Sequence, residues 1–126
     1  MAIQFVGYAY DTTADGRSKY YVSPAALTGG IDTAARAGDL LIACFAAGGT
    51  SAPAYGFGDT GGLTWTSAGT AYGDDTGDAL LDVRYAVAAT DPTALIQTNA
   101  VTLQDFAFIL TVWRGVDPAV PLDSTP

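Results

Sequence analysis

The stretch Asp105–Asp123, DFAFILTVWRGVDPAVPLD, decides how the rest of the chain is read. Phe106, Phe108, Leu110 and Val112 alternate with Ala107, Ile109, Thr111 and Trp113. Side chains of a strand point alternately to its two faces, so this run is apolar on both sides. Its length and its aromatic and β-branched content favour a strand over a helix. Arg114-Gly115 ends it, and Pro118 and Pro121 prevent simple continuation. A strand apolar on both faces is expected at the centre of a sheet, covered on both sides.

Working outward, Leu40–Ala47 (LLIACFAA) is the second run of this kind, launched by Gly38-Asp39, and is the expected neighbour of the first. Ile3–Tyr10 alternates with a slip at Val6-Gly7 that marks a bulge. Asp15-Gly16 in the following turn predicts a hairpin with Lys19–Ser23. Ala25–Gly38 reads as a loop, with one helical turn at Asp32–Arg36. Gly48–Gly62 is a glycine-rich loop, Leu63–Tyr72 a moderate strand and Gly73–Asp78 an acidic turn. Ala79–Ala88 is expected to turn Leu81, Val83, Tyr85 and Val87 inward and Asp82, Arg84 and Ala86 outward. On an exposed face, Asp82 and Arg84 would contribute about 0–1 kcal/mol and serve solubility. Thr93–Leu103 holds one or two further strand segments. Seven or eight short strands with Gly, Pro and Asp turns predict an all-β fold: an antiparallel β-sandwich, jelly-roll-like, with a barrel as the lesser option. The 126 residues suit one domain spanning 1–126, or the N-terminal part of a longer chain.

Composition points the same way. All 13 acidic residues are aspartate, lysine occurs once, at Lys19, and histidine is absent. Asp favours turns and caps, whereas the missing Glu and Lys are the usual surface residues of helices. The net charge of -8 leaves nothing to neutralise phosphates, which argues against DNA, RNA or an anionic membrane as partner. Cys44 is alone, so no internal disulfide forms, and its apolar neighbours make it a small hydrophobe. Met1–Phe5 lacks the basic start and apolar core of a signal peptide. The run Leu40–Ala47 falls far short of the about 20 residues that cross a bilayer.

The same inventory removes most catalysis. Without His or Glu there is no Ser-His-Asp triad, histidine base or HExxH zinc site. Paired aspartates can hydrolyse glycosides, but Asp74, Asp75 and Asp78 share one turn instead of facing each other across a cleft. That turn could offer oxygens to calcium, although its spacing is not that of an EF-hand, and a plain solvated turn is the simpler reading. Otherwise no cofactor is expected. Tyr55 and Phe57, on a glycine-flanked tip, could stack on a sugar, dock in a protein groove, or fold back over the sandwich.

Four landmarks occur in order: Gly38-Asp39-Leu40-Leu41-Ile42-Ala43, Leu63-Thr64-Trp65-Thr66, Arg84-Tyr85-Ala86-Val87-Ala88, and Trp113-Arg114-Gly115-Val116-Asp117 with Pro121-Leu122-Asp123. Together they resemble a β-sandwich family of tailed-bacteriophage structural proteins and bacterial surface proteins. The resemblance covers Gly38–Asp123 and implies a scaffold without a catalytic centre, located in the virion on the outer surface of capsid or tail. Two functions follow as expectations. One is a capsid decoration (cement) protein, present in many copies or as a homo-oligomer and bound to other virion proteins such as the major capsid protein. Its contacts would be Ile3, Phe5, Tyr8, Tyr55 and Phe57, through edge-strand pairing and apolar contact. The other is a tail-tip, fibre or adhesin module that binds host-surface glycan through Tyr55, Phe57, Tyr72 and the Asp74–Asp78 turn.

Overall fold

The computed structural model describes residues 2–12, 19–48, 56–69, 72–73, 79–99 and 105–122, with the backbone alone at 19, 47–48, 56–59, 72–73, 79–80, 99 and 105–106. Nine strands lie within them, and no helix. They are β1 (Gln4–Asp11), β2 (Lys19–Val22), β3 (Leu40–Gly48), β4 (Gly56–Asp59), β5 (Thr66–Ser67), β6 (Tyr72–Gly73), β7 (Ala79–Val87), β8 (Ile96–Asn99) and β9 (Asp105–Arg114). The count passes the expected seven or eight because β5 and β6 are two-residue pieces.

The strands form two antiparallel sheets. The larger has the order β1-β9-β3-β7-β5, with β6 also on β7; the smaller has the order β2-β8-β4. The pairings are nested: β1 with β9, β2 with β8, β3 with β7. Strands from β1 to β4 alternate between the sheets, as in a ribbon folded over on itself. This is jelly-roll order, and the sandwich expected from the strand pattern is the architecture observed.

The two doubly apolar runs are adjacent and central. β3 pairs with β9 without a break, from Leu40 opposite Trp113 to Gly48 opposite Asp105. Directly opposed residues share a face. Leu41, Ala43 and Phe45 therefore face inward beside Val112, Leu110 and Phe108, all at most 1% exposed. The Phe45 and Phe108 rings stack at 4.7 Å. The smaller sheet supplies Tyr20, Val22 and Ile96 from the other side, and Val6, Leu27, Ala35 and Ala88 complete the core. The slip at Val6-Gly7 is a bulge: the register shifts between Phe5 and Gly7, and the extra residue, Val6, is fully buried.

Several expectations change. Lys19–Ser23 does not form a hairpin with the first strand; β2 belongs to the opposite sheet, because Tyr20 and Val22 must reach the core from there. One of the links back to β1 is a side chain, with the Tyr21 N–H donating to Asp11 Oδ2 at 3.1 Å. Asp32–Arg36 is a bend, not a helical turn: Asp32 Oδ1 accepts the Thr33 and Ala34 N–H groups, and the Ala35 N–H goes to Pro24 O. The Gly48–Gly62 stretch contains the short strand β4. In β7 the faces are reversed. Register places Asp82 opposite Phe45 and Ala86 opposite Leu41, so the even positions face inward. Asp82 and Ala86 are buried, whereas Leu81 is 43% exposed. Asp82 is held there by Arg84 Nε at 2.8 Å, which makes the pair an interior contact and not a solubility device.

Candidate functional site

The reversal in β7 has a counterpart across the whole larger sheet. The described side chains of its outer face fall in four rows that the register assembles; a fifth, of Asp105, Gly48 and Ala79, has its backbone alone described. The first is Phe5, Trp113, Leu40 and Val87; the second is Tyr8, Thr111, Ile42 and Tyr85. The third is Tyr10, Ile109, Cys44 and Val83, and the fourth is Ala107, Ala46 and Leu81. No position in these four rows carries a formal charge. The expectation that β3 and β9 are covered on both faces therefore fails on this side. The smaller sheet covers only the inner face, and Tyr10, Ile109 and Leu81 keep 60%, 39% and 43% exposure. Only the first row has a deeply buried member, Leu40, beside the Phe5–Trp113 ring pair at 5.0 Å.

Polar atoms on this face are partly satisfied within it. Trp113 Nε1 donates to Thr111 Oγ1 at 3.2 Å. The Tyr8 and Tyr10 rings stack at 6.0 Å along the β1 border. Cys44 lies on the middle strand of the face. Burial, and secondarily the Asp82 charge, push its thiol pKa up, which makes it a poor nucleophile at neutral pH.

The end of the sandwich beyond the first row is closed by ions. Because Leu40 opposes Trp113, Asp39 and Arg114 are brought together. Arg114 Nε and Nη2 donate to the two Asp39 oxygens at 2.9 Å each, a bidentate fork. Asp39 is 1% exposed and also accepts the Arg36 N–H at 2.8 Å. Glycine flanks both partners for a reason. The Asp39 N–H closes a turn onto Arg36 O with Gly38 at φ +87°, and Gly115 at φ +83° takes the chain out of β9. Arg114 also reaches Asp32 Oδ2 at 3.3 Å. The Thr33 N–H holds the Asp32 carboxyl below its ordinary pKa; partial burial opposes this, and the Ala34 N–H, the hydrogen bond from Arg114 and the Arg36 charge reinforce it. The hydrogen bonds it donates to Asp39 hold the Arg114 guanidinium still further above its usual range.

Of the contact residues expected from sequence, the structure brings Phe5 and Tyr8 onto the outer face and leaves Ile3, 63% exposed, just before β1. The free edge of β1 is not an open pairing site along its first half. Tyr8 exchanges two 2.9 Å backbone bonds with Thr28, and Phe5 O and Val6 O accept from Ile31 and Asp32. Phe57 lies in β4 with its backbone alone described. Tyr55 and the calcium candidates Asp74, Asp75 and Asp78 lie outside the described residues. Among the described residues no three His, Cys, Asp or Glu side chains cluster as metal ligands. The outer positions Ile109, Cys44, Val83 and Leu81 and the Asp39–Arg114 pair escaped the sequence reading. The pair had a signal, opposite charges bounding two runs expected to be antiparallel neighbours. No family model, curated protein or solved structure matches the chain.

Proposed function

We propose that this chain is a non-enzymatic structural protein of a tailed-bacteriophage virion, present in many copies, whose outer sheet face is covered by protein in the particle. The observation that carries this reading is the uncharged apolar face running across β1, β9, β3 and β7. The largest apolar patch on an ordinary monomer is about 300–600 Å², and a patch of that size is often an interaction site. Four strands at about 4.8 Å spacing and four rows about 6.7 Å apart give a flat footprint of about 500 Å². Side-chain relief raises the accessible area above that. The described side chains on this face form no nucleophile–base pair, so it is suited to docking, not turnover.

The virion assignment rests on the resemblance of the four sequence landmarks. The Asp39–Arg114 pair lends it support, because it gives two of those landmarks one shared structural purpose. The most specific form of the reading is a capsid decoration protein. The test is mass spectrometry of purified particles from the phage that encodes the chain. The expected result is this chain at a copy number that fits the capsid symmetry. A chain recovered only from the soluble fraction, never from particles, overturns the reading.

A further inference from the structure

We infer that the occupant of the outer face is a second copy of this chain, docked face to face about a two-fold axis. The inference rests on the reading that protein covers this face, and it adds which protein. A partner bearing charge finds nothing on the four rows to pair with, and burying that charge there would be costly. The occupant must itself be flat, apolar and free of charge, and the four rows have those properties. A two-fold contact uses the same patch on both molecules, so a self-complementary face is sufficient.

Shape adds a second argument. Tyr8 and Tyr10 stack at the β1 border, whereas Cys44 and Ala46 keep the middle low and β7 alternates Val87 and Val83 with Tyr85 and Leu81. A two-fold axis along the strands lays the β1 border of one copy over the β7 side of the other. Row for row, Tyr10 then meets Val83 and Phe5 meets Val87, large against small, while Tyr8 meets Tyr85 as an aromatic pair. Two footprints of about 500 Å² remove about 1,000 Å² or more, at the low end of specific interfaces. Edge-to-edge pairing through β1 is the less favourable route, because the Thr28–Asp32 segment already occupies half of that edge.

The purified full-length chain should show twice its monomer mass by light scattering, falling to the monomer on dilution. Cys44 supplies an internal probe at the centre of the contact. Its alkylation by a maleimide should slow at least tenfold between dilute and concentrated protein. Tyr10→Asp and Leu81→Asp alter side chains that are 60% and 43% exposed in the single chain, so the fold should tolerate them. Each should weaken self-association at least a hundredfold and return Cys44 alkylation in concentrated protein to the rate seen in dilute protein, with the circular-dichroism spectrum unchanged. A wild-type monomer at millimolar concentration whose Cys44 reacts at its dilute rate, a limiting mass at high concentration other than twice the monomer, or a dimer indifferent to both substitutions overturns the inference. Particle composition separates the two readings. A monomer that is nonetheless found in virions sinks the self-association alone, and a dimer never found in virions sinks the virion reading alone.

Discussion

Arg114→Met removes one side of the fork that closes the sandwich end, and its cost follows from the geometry. Asp39 loses two charge-assisted hydrogen bonds of 2.9 Å and keeps the Arg36 N–H. Breaking a fully buried pair costs about 3–5 kcal/mol. Arg114 is 29% exposed, so water entering its place solvates part of the stranded carboxylate. The expected loss is about 2–4 kcal/mol. Unfolding entropy near about 2.1 cal/mol/K per residue gives about 0.26 kcal/mol/K for 126 residues, so Tm falls by about 8–15 °C. Urea titration followed by circular dichroism, at one protein concentration, measures the loss; fixing the concentration matters because self-association would add to apparent stability. Asp39→Asn with Arg114→Met completes a double-mutant cycle. The double variant should be more stable than the summed single losses imply, by about 1 kcal/mol or more. A single-variant loss under about 0.5 kcal/mol, typical of surface pairs, or strict additivity, would refute the interior clamp.

Two further outcomes follow from neighbouring features. Asp32 has a depressed folded-state pKa, led by the Thr33 N–H, so its stabilisation is complete above the unfolded value of about 3.9 and is lost as pH falls through the folded value. Asp32→Asn should therefore flatten the fall of the urea midpoint below about pH 4; an unchanged acid slope counts against this linkage. Gly30 lies where an added Cβ would collide with the Val6 carbonyl and the Gly7 nitrogen, backbone atoms of the bulge. Gly30→Ala should cost about 1–3 kcal/mol and speed amide exchange at Tyr8 and Thr28, whereas unaltered exchange would show that the segment adapts without leaving β1.

Much of the fold was legible because its signals are local. Alternation in Leu40–Ala47 and Asp105–Arg114 specifies strands apolar on both faces, and two such runs need each other as neighbours. The slip at Val6-Gly7 breaks the period of two, and that break is the bulge. Even the Asp39–Arg114 pair was within reach, since an antiparallel register places the start of one run beside the end of the other. The β1–β2 hairpin misled because a turn signal reports that the chain reverses, not that it stays in the same sheet.

What local pattern cannot supply is the side from which cover comes. In β7, Leu81, Val83, Tyr85 and Val87 look like core positions by hydropathy, yet the register with β3 assigns the inner face to Asp82, Arg84 and Ala86. Alternation separates the residues of a strand into two sets without saying which set meets the second sheet. The amino-acid order by itself determined that the chain is built of strands and that β3 and β9 are greasy on both sides. Only the tertiary structure decided that one of those sides is left uncovered by the smaller sheet, because a three-stranded sheet can cover a larger sheet from one direction only.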